Sequence, residues 1–154
     1  MIGRLRHFLR DEGGAAVVEL ALCTTMFSVM IAGVADMSSA YSRKLALEQA
    51  VQRALEKQMQ TTADDLPEAT IKSEAVLQAG GGLTEDQVTV TRTRYCNGVA
   101  QSTYAGGCGT QTRTRYLNVK VYDDYSPILP AIKFGPVTSD GKYRVGAEAG
   151  VRIE

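Results

Sequence analysis

The chain has 154 residues, enough for one domain with a modest core. Seventeen basic and seventeen acidic residues give a formal net charge of zero, so no bulk positive field argues for a nucleic-acid partner. Three cysteines and one histidine, His7, form no cluster with metal-ligand spacing, and no catalytic constellation is visible. The sequence reads as a non-enzyme with no cofactor and no metal.

Charge is segregated along the chain. Residues 1–10 carry Arg4, Arg6 and Arg10 with no acid, and residues 13–35 carry one charge, Glu19. From Ala15 to Ala35 the sequence is AAVVELALCTTMFSVMIAGVA. Its 21 residues match the roughly 20 that span a bilayer as a helix. Thr24, Thr25 and Ser28 do not spoil the span, because their hydroxyls can bond back to the preceding turn. Two other readings stay open. A buried core helix is disfavoured by the length of the run. A cleavable secretory signal, cut after Ala35, fits the basic start and the small residues Gly33 and Ala35. The run is longer than a usual signal core, however, and Glu19 interrupts it. Lys and Arg counts leave orientation tied: Arg4, Arg6 and Arg10 precede the span, while Arg43, Lys44 and Arg53 follow it.

Past Asp36 the helical pattern continues without Gly or Pro to Gln60. Leu47, Ala50, Val51, Ala54 and Leu55 lie on one stripe, with charged residues elsewhere. A helix from Ala15 to Gln60 would be about 69 Å long at 1.5 Å per residue. Residues 61–67, TTADDLP, break it, and Asp64 or Asp65 is placed to cap a second helix near Pro67. That short helix, with Ala69, Ile71, Ala75, Val76 and Ala79 on its apolar side, ends at Gly80, Gly81 and Gly82.

The period then changes to two. Val88 and Val90, then Leu117, Val119 and Val121, then Tyr143 through Ile153, alternate with polar or small residues. This is the pattern of an antiparallel sheet with one buried face. Asp140-Gly141 is a turn signal before the last strand. Ser126 to Ser139 reads as a long connection packed on the sheet edge.

TRTRY occurs twice, at 91–95 and 112–116, and reads as two paired strands of one hairpin. Arg92, Arg94, Arg113 and Arg115 would gather there, as a solvated polar hairpin or, alternatively, as a partner-docking patch. Like charges directly opposite are destabilising, so this tip is expected to face water or an acidic partner. Cys96 and Cys108 flank the loop NGVAQSTYAGG, which would be floppy if open. A bridge between them would stabilise by about 3 kcal/mol in the chain-entropy model. It would also place the domain outside the reducing cytoplasm. Asp64-Asp65 and Asp123-Asp124 read as solvated loop carboxylates rather than cation ligands.

A short basic leader, a glycine, and an apolar helix with glutamate at its fifth position together resemble a type IV prepilin. The longer stretches RDEGGAAVVELAL and AYSRKLALEQAVQRA resemble the TadE-like family, pseudopilins of the tight-adherence (Tad, type IVc) pilus system. The ending VKVYDDYSPILP…VGAEAGVRIE is similar to that family's ending. The resemblance covers residues 4–60, and 117–154 more loosely. It implies that a prepilin peptidase cuts after Gly14, making Ala15 the new N-terminus and Glu19 the fifth mature residue.

An ionised carboxylate in hydrocarbon costs on the order of 2–3 kcal/mol even on lenient insertion scales. The resemblance supplies a partner for Glu19: the amine of Ala15 on a neighbouring subunit. The alternative is that Glu19 snorkels to the interface. Leu20 stands where the family's small major pilin usually has an aromatic residue, and the C-terminal domain is substantial. Both features imply a minor subunit.

The expected fold is α+β and pilin-like, with a long N-terminal helix packed on a small antiparallel sheet and a short second helix. Its parts are a leader (1–14), a transmembrane half-helix (15–35), an amphipathic half-helix (36–60) and a periplasmic α/β domain (61–154). The implied partners are prepilin peptidase, other pilus subunits, the assembly platform in the inner membrane, and membrane lipid. The implied location is the inner membrane, single pass, with the leader cytoplasmic, and then the extracellular pilus. A secreted domain released after Ala35 and an unprocessed single-pass anchored binding protein are the alternatives.

Overall fold

The computed structural model describes residues 12–61, 66–128 and 137–153. The first helix, α1, runs unbroken from Glu12 to Gln60. Beyond Gly14 it contains no proline and a single glycine, Gly33, so nothing in its sequence terminates it early. At 49 residues it is about 73 Å long. It begins three residues before the expected Ala15 and passes straight through Gly14.

The two halves of α1 live in different surroundings. Val17, Val18, Leu20, Leu22, Met26, Phe27, Ile31 and Val34 are all exposed. Thr24 Oγ1 donates to the Leu20 carbonyl at 2.7 Å, and Ser28 Oγ donates to the Thr24 carbonyl at 2.8 Å, so these hydroxyls are satisfied within the helix. From Asp36 onward a buried stripe appears, and Leu47, Ala50, Val51, Ala54 and Leu55 enter the core as expected.

The chain returns through Leu66, which Gln58 and Arg92 hold from two sides. Gln58 Oε1 accepts from Leu66 N at 3.0 Å, and Arg92 Nη2 donates to the Leu66 carbonyl. Helix α2 spans Glu68–Ala79 and buries Ile71, Ala75 and Ala79. Pro67 occupies its N-cap, and the Pro67 carbonyl accepts from Thr70 N and Ile71 N. The expected aspartate cap is therefore replaced by proline, whose fixed φ suits a helix start. Asp64 and Asp65 lie outside the described residues. Gly80, Gly81 and Gly82 all have positive φ and stop the helix.

After a single 3-10 turn at Glu85–Gln87 come four strands: β1 (Val88–Cys96), β2 (Val99–Ala100), β3 (Arg113–Tyr125) and β4 (Tyr143–Arg152). They form one antiparallel sheet in the order β2-β1-β3-β4. Residues Val88, Leu117, Val119 and Val121 point inward against α1 and α2. Along β4 the odd-numbered residues are half-buried and the even ones exposed, as the alternation predicts. The Asp140-Gly141 turn forms, with Gly141 N donating to the Thr138 carbonyl at 2.9 Å and Gly141 at positive φ. Most of the connection after Ser126, residues 129–136, lies outside the described residues, as do the basic residues Arg4, Arg6, His7 and Arg10.

The fold is thus α+β, with one long helix laid across a small sheet and a short helix beside it. Leu47 is fully buried where α1 enters the core. Leu47→Ala is expected to destabilise the domain by about 2–5 kcal/mol. Thermal and urea melting of the full chain in detergent, followed by near-ultraviolet circular dichroism, measures this. An unchanged midpoint would show that α1 is not part of the core.

Candidate functional site: the exposed helix, its clasp and the arginine hairpin

Ala15 and Glu19 are four residues apart on α1, so they share a face one turn apart. Both are exposed, and Glu19 has no hydrogen-bond or ion-pair partner among the described residues. A Cβ built on Gly14 would meet nothing within 4 Å. The fold itself does not require glycine at that position.

Among the described residues, α1 is the one helix long and apolar enough to cross a membrane, and none of its apolar window is buried in the fold. This overturns the core-helix reading. Its length and composition fit a single-pass anchor, and a signal sequence near an N-terminus passes the same test.

Where the apolar stretch ends, Asp36 turns inward and is only 5 % exposed. Its Oδ1 accepts from the Tyr125 hydroxyl at 2.8 Å and from Ile128 N at 3.1 Å. This clasp ties the helix to the end of β3. Two turns further along the same face, Arg43 Nε donates to Asp123 Oδ2 at 2.6 Å. Arg43 Nη1 donates to the Ala79 carbonyl at 2.7 Å, and Nη2 to the Gly80 carbonyl at 3.2 Å. One guanidinium thus caps α2 and pins α1 to β3. Gly81 packs against it so closely that a Cβ there would lie 2.6 Å from Nη1. Beside the clasp, Met37, Ala40, Tyr41, Tyr125, Tyr143 and Val145 line an apolar cleft of about 210 Å³.

Asp123 and Asp124 are strand residues, not loop carboxylates as expected. Asp123 faces Arg43, while Asp124 receives a two-pronged contact from Arg144 at 2.9 and 3.1 Å. That contact holds the Asp124 carboxyl below its ordinary range. Among the described residues no group of three potential metal ligands exists.

The two TRTRY segments pair with one another, as expected. Arg94 stands directly opposite Arg115, and Cys96 opposite Arg113. The tip does not face water, however. Arg94 is 7 % and Arg115 8 % exposed. The reason is register: Arg92 and Arg94 continue the inward row of Val88 and Val90, and Arg115 continues that of Leu117 and Val119. The loop before β3 folds over them. The Tyr104 ring lies 5.9 Å from Arg92 Cζ and 5.8 Å from Arg115 Cζ.

Cys96 and Cys108 form a disulfide with Cα atoms 5.5 Å apart, and Cys23 is free and exposed. Within this closed loop the sequence pattern did not reveal β2. Asn97 and Gly98 both have positive φ, and they turn the chain so that Val99 pairs with Cys96. The Asn-Gly dipeptide was the available signal. The Asp36 and Arg43 contacts were also missed. They span 89 and 80 residues in sequence, which no local pattern encodes.

Residues 14–55 match the family model of TadE-like proteins. The match begins at Gly14 and ends at Leu55, so it covers both the exposed apolar half of α1 and the half that docks on the sheet. It points to an association with the Tad pilus, whose TadE-like proteins are structural or assembly components rather than enzymes. No curated protein and no solved structure matches the chain.

Two outcomes follow from this geometry. Burial first, and the bond to Asp36 second, raise the Tyr125 phenol above its ordinary range. Its stabilising contribution is therefore present below the usual phenol pKa near 10 and is lost as pH rises from there through the folded value. Asp36→Ala should bring Tyr125 ionisation closer to the ordinary range in a phenolate absorbance titration. It should also cost about 1–3 kcal/mol of stability. An unmoved titration would mean that the clasp is absent in solution. In non-reducing detergent, Cys23 should alkylate while Cys96 and Cys108 resist until reductant is added. Modification of the latter pair without reductant would overturn the bridge.

Proposed function

We propose that this chain is a minor pseudopilin, cut after Gly14 by a prepilin peptidase and taking part in assembly of a Tad pilus. The observation that carries this reading is α1 itself. An apolar half-helix stands clear of the fold, holds Glu19 five residues after Gly14, and continues without a break into a docked domain. The TadE-like match over the same residues supports it. Because a Cβ at Gly14 would touch nothing among the described residues, a need for glycine there would come from an enzyme closing on the backbone beside the scissile bond.

Cleavage would leave a positive amine at Ala15. In a helical assembly this amine would pair with Glu19 of a neighbouring subunit. Each charge loses hydration, so the pair would set register more than it adds stability. The disulfide favours an oxidising location for the domain, and hence a cytoplasmic leader, a single pass through the inner membrane, and a periplasmic domain that joins the pilus. Other pilus subunits, the assembly platform and lipid are the partners of this reading.

The mature N-terminus, read by mass spectrometry to one residue, is the test. Ala15 supports the proposal. Asp36 would instead indicate a secreted domain, and an intact leader a permanent anchor. Gly14→Val is expected to leave full-length precursor, and maturation at wild-type size would defeat the proposal. Glu19→Ala is expected to insert and be cleaved but to fail in co-assembly and piliation. Wild-type piliation by that variant would make Glu19 a snorkelling residue.

A further inference from the structure

We propose that Arg94 forms the floor of a small oxyanion site, one that accepts a carboxylate or phosphate group beneath the disulfide-closed loop. The inference does not rest on the pilus reading. Arg94 is more than nine-tenths buried, and its Nε and Nη1 donors have no hydrogen-bond partner among the described residues. A guanidinium in a protein keeps its charge, so deprotonation does not relieve this. A buried, unpaired ion is strongly unfavourable. Directly across the strand pair stands Arg115, a like charge that is also buried. Each of the two forks of Arg94, Nε with Nη2 and Nη1 with Nη2, contains one of the unmet donors. Either fork matches the two oxygens of a carboxylate or two of a phosphate.

The surroundings are shaped for a guanidinium held in place. Gly106 has φ +119°, and a Cβ there would lie 2.8 Å from Arg94 Nη1, so the loop backbone closes directly on the charged group. The Arg94 carbonyl accepts from Gln101 N at 2.8 Å, which fixes the loop to the same residue. The Cys96–Cys108 bridge limits how far this cover can open. The Arg144–Asp124 and Lys120–Glu148 pairs lie on the other face of the sheet and do not serve Arg94. A small anion is the chemistry that answers two buried, unmet donors on a permanent cation.

The test uses the full chain in an uncharged detergent, melted in inorganic phosphate, in acetate and in chloride at matched ionic strength. At ten times the dissociation constant, a bound oxyanion lowers the unfolding constant about elevenfold. The midpoint should rise saturably with phosphate or acetate over chloride, and the stronger of the two identifies which group the site prefers. Arg94→Met should match or exceed wild type in chloride, because an unpaired buried charge is gone, and should show no oxyanion-specific rise. Arg94→Lys, which keeps the charge without the fork, should bind at least tenfold more weakly. Arg53→Met, on an exposed face of α1 where Arg53 pairs with Glu56, should respond like wild type. Should Arg94→Met fail to fold, loss of the rise in Gly106→Ala, whose Cβ displaces Nη1, serves in its place. No saturable rise in wild type, or an equal rise in the Arg94 variants, overturns the site.

Discussion

A single helix here has two kinds of surroundings, one clear of the fold and one packed against it, and the change is made within two turns. Up to Ala35 the side chains of α1 are mostly apolar and mostly outward; at Asp36 a carboxylate turns inward to Tyr125 and Ile128, and at Arg43 a guanidinium reaches Asp123 and the end of α2. Both contacts are charge-assisted, the stronger class of hydrogen bond. They fix the rotation of α1 about its own axis. That rotation brings Leu47, Ala50, Val51, Ala54 and Leu55 onto the sheet and leaves Glu19 free of it. A helix anchored only by its apolar stripe could roll. One that is clasped at Asp36 and Arg43 has a defined face toward the domain and a defined face toward whatever lies outside.

The far end of the domain shows the opposite economy. There the inward row of the sheet carries arginines in place of valines, and a loop closed by Cys96–Cys108 folds over them. Tyr104 gives the guanidinium groups an aromatic face, and the two-residue turn at Asn97-Gly98 starts the loop back over them. The disulfide therefore does more than shorten the unfolded chain's excursions. It keeps a cover in place over buried charge.

The sequence made much of this legible, for identifiable reasons. The helix and its core stripe follow from a 3.6 period uninterrupted by proline, and the strands from a period of two at Leu117–Val121 and along β4. The pairing of the two TRTRY segments followed from their likeness. What could not be read was long-range: nothing near Asp36 announces Tyr125, and nothing near Arg43 announces Asp123. The arginines were misjudged because charge was allowed to outweigh register. Arg92 and Arg94 keep the parity of Val88 and Val90, and parity decided the face.

Gly14 and Glu19 stand apart from every contact that holds the fold together. Asp36, Arg43, Gln58 and Arg92 each hold a contact inside the molecule. A Cβ at position 14 would touch nothing, and Glu19 sits exposed in an apolar stretch without a partner among the described residues. Neither residue improves the isolated chain; in hydrocarbon, Glu19 is a cost. No contact among the described residues accounts for either of them. The TadE-like match begins at the first of them and includes the second, on the part of the molecule that faces outward.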